Sequence, residues 1–250
     1  KNKKEIIQVT SRISDAFQSA YDAFQTALSI HDEWEAVYIE NIDVKKANRL
    51  AANFIDTCFA DHLRNKKPRV KHRFLGAATP KGPVDFIQNL TEDVSKRYFL
   101  KGRPGSGKST LLKKIARCAE QRGFDVEVYH CGFDPNSLDM VIVRELDVAI
   151  FDSTAPHEYF PDRESDEVID LYDVVIARGT DEKNAALVRN ISERYSAKMK
   201  EGTAFLAQAK ALHDQLENYY REAMDFAKVD QIRHAIQLEL NELADVQSSS

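Results

Sequence analysis

Residues 102–109, GRPGSGKS, limit what this chain can fold into more than any other part of the sequence. Their order of Gly, four residues, Gly, Lys and Ser is the phosphate-loop (P-loop) pattern. Glycines let the backbone turn tightly, so that successive amide N–H groups point into one concavity that fits a polyphosphate. Lys108 adds a flexible positive charge, Ser109 offers a hydroxyl to magnesium, and the next helix contributes its positive end. The predicted nucleotide-binding residues are Gly102, Arg103, Pro104, Gly105, Ser106, Gly107, Lys108, Ser109 and Thr110.

The residues on either side of the loop agree with this interpretation. A β-prone run at residues 97–101 precedes it, and Leu111, Leu112, Ile115 and Ala116 form a helical stripe after it. Strand, loop and helix in this order are the context that the motif requires. The alternative is a glycine-rich turn that binds nothing, which the flanking pattern disfavours.

Composition favours a globular protein of a reducing cytoplasm. The 250 residues are 43% hydrophobic, which is ample for a buried core. No apolar stretch approaches the roughly 20 residues needed to cross a bilayer, so we expect no membrane association. Cys58, Cys118 and Cys131 are scattered without a CxxC pair, which argues against a zinc site or a disulfide framework. Buried structural thiols are expected instead.

The net charge of −5 disfavours nonspecific nucleic-acid binding. One basic segment breaks the trend and is either an anion-binding patch or a solvated linker. The absence of interleaved aromatic residues favours the linker. Its cationic residues are Arg64, Lys66, Lys67, Arg69, Lys71 and Arg73.

The chain contains an internal repeat at an offset of 182 residues. HDEWEAVYIENIDVKK, from His31, aligns without a gap with HDQLENYYREAMDFAK, from His213. Seven pairs are identical: His31 and His213, Asp32 and Asp214, Glu35 and Glu217, Tyr38 and Tyr220, Glu40 and Glu222, Asp43 and Asp225, and Lys46 and Lys228. The repeat predicts one helical module used twice.

A heptad stripe with steps of three and four leads into each copy. The first stripe is Ile6, Val9, Ile13, Ala16, Ala20, Ala23, Ala27, Ile30, Trp34 and Val37. The second is Val188, Ile191, Tyr195, Lys198, Gly202, Phe205, Ala209, Leu212, Leu216 and Tyr219, in which Lys198 must send its ammonium to water. We expect each long helix to pack antiparallel on a return helix, with Asp43 and Asp225 as the N-caps of the return helices.

The second module follows a P-loop segment, whereas the first begins near Lys1. We therefore expect a homologous P-loop domain upstream, in the same polypeptide. The competing explanation is a hairpin duplicated without its companion domain. The mass of the natural gene product separates the two.

A second nucleotide-site motif is expected at Asp152. Residues 125–130 alternate like a half-buried strand, and residues 146–151 form an apolar run closed by Asp152. A carboxylate at that position supports magnesium or its water, so Lys108 and Asp152 are expected to act in catalysis and Ser109 and Asp152 to hold the metal. Ser153 follows, where many ATPase motors carry a glutamate. Because no NKxD guanine motif occurs, adenine is the preferred base.

The polar segment 153–167 is a candidate lid, since ligands bind at the carboxyl edge of open α/β sheets. In it, His157 and Arg163 are candidates for proton transfer and for charge stabilisation. Asp134, after the preceding strand, is a candidate for orienting a nucleophile. Each is equally compatible with an ordinary loop role.

Several strings resemble the second half of a group of uncharacterised bacterial tandem P-loop ATP-binding proteins. They are FLGAATPKG, RYFLKGRPGSGKSTLLKKIA, VEVYHCGFDPNSLD, VAIFDSTAPHEYFP and the HD-containing hairpin, so that the similarity spans nearly the whole chain. The resemblance implies ATP binding at residues 102–110 and two nucleotide domains per polypeptide, and it brings no known substrate. This chain departs from the group in lacking the first domain, which puts a two-site mechanism in doubt.

The predicted fold is a three-layer α/β P-loop NTPase domain with a mostly parallel sheet, flanked by two α-helical hairpins. The boundaries are 1–66 for the first hairpin, 67–181 for the nucleotide-binding domain and 182–250 for the second hairpin. Residues 168–177 are either a strand ending at Leu171 followed by a helix or a strand centred on Val174.

Three functions stay open at this point. The leading one is Mg2+-dependent ATP hydrolysis coupled to movement of the helical arms. The others are a small-molecule or nucleotide kinase and a noncatalytic ATP-binding scaffold. ATP and Mg2+ are the expected ligands, an unknown protein partner on the hairpins is possible, and nucleic acid is not expected.

Overall fold

The computed structural model describes residues 2–248, with side chains through residue 244. The chain divides into two compact units, of which one comprises Phe17–Ala207 and the other joins the ends of the chain, up to Ala16 and from Gln208 onward. The helices are α1 (Lys3–Ile39), α2 (Val44–Phe59), α3 (Ile87–Leu90), α4 (Lys108–Gln121), α5 (Leu171–Val175), α6 (Thr180–Arg221) and α7 (Phe226–Ser248). The strands are β1 (Val70–Phe74), β2 (Gly76–Thr79), β3 (Gly82–Asp85), β4 (Lys96–Lys101), β5 (Val126–His130), β6 (Leu138–Val143), β7 (Val148–Asp152) and β8 (Glu167–Asp170).

Six strands of the Phe17–Ala207 unit form one sheet in the order β1-β5-β6-β7-β4-β8. β1 pairs parallel with β5, and β4 pairs parallel with β7 and β8. β6 runs antiparallel to both of its neighbours. The predicted α/β class with a mostly parallel sheet and flanking helices is therefore confirmed. The buried apolar run of β7 is typical of a strand covered on both faces.

The two faces of this sheet have separate apolar cores. On one face, α4 supplies Leu111, Leu112 and Ile115. On the other face, Phe99 and Phe151 pack edge to face with ring centroids 4.6 Å apart. Side chains alternate along each strand, so neighbouring residues of β4 and β7 serve opposite cores.

Two strand features go beyond the sequence prediction. All six residues of β6 are buried, and a short apolar run of that kind cannot be told from a buried helix by periodicity. β2 and β3 pair as a separate antiparallel hairpin. In the ambiguous region, β8 ends at Asp170 and α5 follows, because the Asp170 carboxylate accepts the N–H of Tyr172 at 2.8 Å and caps the helix.

The alanine stripe of α1 packs against α6 in the Phe17–Ala207 unit. A Cβ on Gly202 would lie 2.6 Å from the ring of Phe24, and the ring centroids of Trp34 and Tyr195 are 6.0 Å apart. Residue numbers rise along one helix as they fall along the other, so the pair is antiparallel. The expectation that α2 would cover this stripe is wrong. Two long helices of matching narrow seams bury more together than α1 could bury on the 16-residue α2.

The other unit repeats this pairing with its own residues. Val9, Ile13 and Ala16 form one buried cluster with Ala209 and Leu212. The two heptad stripes that the repeat predicts therefore meet each other here too.

The return helices are capped as predicted. The Asp43 carboxylate accepts the N–H of Lys46 at 3.0 Å, and that of Asp225 accepts the N–H of Lys228 at 3.2 Å. The surroundings of the two helices differ. α2 packs on the α/β domain and buries Ala51, Phe54 and Phe59, whereas the described side chains of α7 are exposed.

The basic segment is tied to carboxylates. Lys66 Nζ lies 3.0 Å from oxygens of both Asp125 and Glu145, and Arg69 donates to Asp125 at 2.9 Å. These pairs fit the linker interpretation, because the charges are balanced within the fold. Among the described residues, no helix is both long and apolar enough to span a bilayer.

Candidate functional site

The candidate site lies in the Phe17–Ala207 unit, where the chain turns from β4 into α4. Gly105 and Gly107 have φ values of 74° and 93°, a left-handed conformation that favours glycine. A Cβ on Gly102 would lie 2.5 Å from the Ser106 hydroxyl. That hydroxyl is buried and lacks a hydrogen-bond partner among the described residues. The loop therefore has the close backbone geometry of an anion cradle, with one buried polar atom that nothing in the protein satisfies.

The amino end of α4 is open to an anion. Gly107 occupies the N-cap, and within the described chain no side chain caps it. The first helical bond runs from the N–H of Leu111 to the carbonyl of Gly107, which leaves the amides of Lys108, Ser109 and Thr110 without helical partners. These N–H groups and the helix dipole favour negative charge at this end.

Lys108 is nearly buried beneath the loop. Its Nζ donates to the carbonyl oxygens of Gly102 at 2.9 Å and Arg103 at 3.1 Å, and it lies 3.6 Å from Asp152 Oδ2. The ammonium is therefore held between the loop and the end of β7. A phosphate in the loop would meet this charge directly.

Two of the predicted metal ligands lie at this junction. Asp152 ends β7, next to β4, and its Oδ1 accepts the N–H of Thr154 at 2.9 Å. Ser109 Oγ accepts the N–H of Leu138 at 3.0 Å, which leaves its own proton and one lone pair free of that bond. Hydroxyl and carboxylate oxygens are the donors that Mg2+ prefers, so these residues fit the cation.

A second carboxylate, Asp139 of β6, went unnoticed in the sequence. It is buried, and its Oδ2 has no hydrogen-bond partner among the described residues. Burial and the neighbouring charge of Asp152 both raise the pKa of Asp139. The signal that sequence reasoning passed over is an acidic residue inside the apolar run LDMVIV.

Helix α1 reaches the loop through its backbone. A Cβ on Gly105 would lie 2.4 Å from the carbonyl oxygen of Glu35. One turn earlier, the His31 ring lies 6.0 Å from the ring of Phe133. Burial lowers the pKa of His31, although the nearby Glu35 and Asp32 raise it. The repeat marked His31 and Glu35 as shared residues, but it did not predict their position at the loop.

A second link joins the loop to both long helices. The guanidinium of Arg103 donates to Asp181 Oδ2 at 2.8 Å, and the hydroxyl of Tyr38 donates to Asp181 Oδ1 at 2.7 Å. Asp181 lies in the first turn of α6 and Tyr38 in the last turn of α1. One carboxylate therefore connects the loop, α1 and α6.

The remaining candidates occupy different places. His157 Nδ1 lies 2.7 Å from Asp85 Oδ2, and Asp134 accepts the N–H of Asn136 at 3.0 Å within its own turn. Arg163 donates to the carbonyls of Val94 and Glu92, before the start of β4. The loop follows the other end of β4, roughly 20 Å away for a six-residue strand. The structure therefore does not bring Arg163 to the loop.

The candidate lid is anchored at several points. The hydroxyl of Ser153 donates to the Tyr159 carbonyl at 2.7 Å, and Lys101 donates to the same carbonyl at 3.0 Å. The hydroxyl of Tyr159 donates to Asp85 at 2.8 Å, and Arg97 holds Asp166. In this conformation the segment is a fixed wall, and opening it would break these bonds together.

The repeat also places two groups of possible ligands. The ligand atoms of His31, Asp32 and Glu35 lie within 4.8 Å of one another, as do those of the set His213, Asp214 and Glu217. The second set is fully exposed, and acidic side chains on a helix surface commonly lie this close without a metal. The loop site offers the better supported position for a cation.

Comparison of this chain with protein-family models, with curated proteins and with solved structures found no match. The functional argument therefore depends on the geometry of the loop and its neighbours.

Proposed function

We propose that this protein is a P-loop NTPase with a three-layer α/β nucleotide-binding domain, and that it hydrolyses ATP with Mg2+ and transmits its nucleotide state to the long helices. The single observation that carries the proposal is the position of Lys108 Nζ, between two loop carbonyls and 3.6 Å from Asp152. A cation fixed beside uncapped helix amides supports triphosphate binding, because all of these groups stabilise negative charge.

The metal part of the proposal concerns Ser109 and Asp152. These two residues would hold Mg2+, which would neutralise charge on the phosphates when bound. Lys108 would bind the terminal phosphates, and the loop amides would orient them. ATP is preferred over GTP because the chain has no NKxD motif.

Coupling to the helices is proposed from two contacts at the loop. Gly105 lies against the backbone of Glu35, and Arg103 pairs with Asp181. A change in the loop on nucleotide binding would therefore shift groups that α1 and α6 hold directly. Packed helices pass on such shifts as rigid elements.

A second candidate is phosphoryl transfer to a small acceptor, which one observation favours. The residue after Asp152 is Ser153, whose buried hydroxyl is engaged by the carbonyl of Tyr159. A glutamate that would orient water is missing at that position, and the wall of residues 153–167 stands beside the site.

The test compares Lys108→Ala with Lys114→Ala, a control on the exposed side of the same helix. Calorimetric titration with Mg·ATP should show affinity lost by roughly 10- to 100-fold in Lys108→Ala alone, because hydrogen bonds from a charged group contribute about 1.5–3 kcal/mol. Unchanged affinity in Lys108→Ala would refute the proposal.

The reaction is assigned with labelled ATP and a panel of acceptors. Release of phosphate supports hydrolysis, and label on an acceptor identifies a kinase. Tight binding without turnover identifies a noncatalytic scaffold, and it would remove hydrolysis from the proposal.

A further inference from the structure

Asp139 stands beside Asp152 across the antiparallel pairing of β6 and β7. In that ladder Met140 is opposite Phe151, and both side chains belong to the core on the side of Phe99. Because side chains alternate along a strand, Asp139 and Asp152 project to the other face, where α4 begins at Lys108. The pairing therefore brings a second carboxylate to the carboxyl end of β7.

The environment of Asp139 is unusual for a structural aspartate. The residue is 7% exposed, and its Oδ2 is buried without a hydrogen-bond partner among the described residues. Its nearest charged neighbours are Asp152, Lys108 and His157, and its side chain also contacts the Cys131 thiol. A buried carboxylate oxygen without a partner is costly, so a fold retains one mainly where something else binds it.

We propose that Asp139 is a third oxygen ligand, directly or through a water, of the divalent cation that accompanies the nucleotide. With Asp152 and Ser109 it completes a set of two carboxylates and one hydroxyl, which is the donor chemistry of a hard cation such as Mg2+. The inference rests on the proposed function, because the cation is the one that the bound triphosphate brings.

The opposing explanation is that Asp139 is a neutral, structural side chain. The two explanations differ in what Asp139→Asn does to the protein without ligands. The new amide can donate to Asp152 and removes the unpartnered carboxylate, so a ligand role predicts a higher melting temperature of the free protein. A structural role predicts a lower one.

The test uses the full chain with Mn2+ as the probe and a nonhydrolysable ATP analogue. Free Mn2+ is followed by its electron paramagnetic resonance signal. Asp139→Asn should weaken Mn2+ binding in the ternary complex at least tenfold and leave the affinity for the analogue in EDTA unchanged. Asp93→Asn, a change to an exposed aspartate, is the control and should bind as wild type does.

The outcomes separate the two proposals. If the wild-type protein binds neither the analogue nor Mn2+ with it, the proposed function fails. If wild type and Asp139→Asn bind Mn2+ equally, the function stands and this inference is overturned. Asp139→Ser, which is smaller, should show the same loss, so that the proposal stays testable even where one variant folds poorly.

Discussion

Gly105 of the P-loop lies so close to Glu35 of α1 that a Cβ on the glycine would stand 2.4 Å from the glutamate carbonyl oxygen and 2.8 Å from its Cα. The contact is between backbones, so no flexible side chain can move aside to make room. The phosphate cradle and the helix are therefore in direct mechanical contact.

This contact predicts the effect of Gly105→Ala. The control is Gly82→Ala, because Gly82 also has a positive φ, of 100°, but nothing lies within 4 Å of its Cβ position. Each change costs about 1–2 kcal/mol for the left-handed backbone. Gly105→Ala should cost measurably more in urea unfolding and should increase amide exchange at residues 31–39. Equal losses of stability in the two variants would contradict the contact.

The anchor of the polar segment predicts a pH dependence. Asp166 accepts Arg97 Nε at 2.8 Å and the N–H groups of Asp162 and Arg163 at 3.0 and 3.1 Å, and the side chains of Asp166 and Arg97 are 0% and 5% exposed. Burial alone would raise the pKa of Asp166, but these bonds lower it below the usual range. The ionised carboxylate therefore stabilises the fold above its unfolded pKa of about 4, and this contribution declines as the pH falls toward the folded pKa.

Asp166→Asn should accordingly lower the free energy of unfolding by about 3 kcal/mol at pH 7, as expected on removing one partner of a buried ion pair. The gap to wild type should narrow below about pH 4. Urea titrations at pH 7, 5 and 3.5 measure it. Asp162→Asn, at an exposed partner of the same guanidinium, should have a much smaller effect. A gap that stays constant across the range would argue against the ion pair.

The repeat offers a matched pair of substitutions for stability. Phe54 of α2 corresponds to Ile236 of α7 at the offset of 182. Phe54 is 6% exposed and packs on Tyr98 with ring centroids 4.7 Å apart, whereas Ile236 is 53% exposed. Phe54→Ala should cost about 3–5 kcal/mol and Ile236→Ala less than about 0.5 kcal/mol.

Thermal unfolding followed by circular dichroism checks both members of this pair. A large loss of stability in Ile236→Ala would mean that α7 is covered in solution, for example by another copy of the chain. That result would contradict the exposure of this helix.

Sequence alone determined the features that depend on neighbours along the chain. The order of strand, loop and helix around residues 102–109, the caps at Asp43 and Asp225, and the strand that ends at Asp152 all follow from local patterns. Turn chemistry, capping and hydrophobic period act over a few residues, so they are legible without a partner.

Only the tertiary structure decided which surfaces meet. The stripe of α1 specifies a narrow apolar seam, but period cannot say whether α2 or α6 fills it, and the structure pairs it with α6. In the same way, the pairing of β6 with β7 brings Asp139 to Asp152, and the path of residues 153–167 takes Arg163 away from the loop. These outcomes depend on contacts between residues far apart in sequence, whose cost in chain entropy is repaid only when the whole core forms.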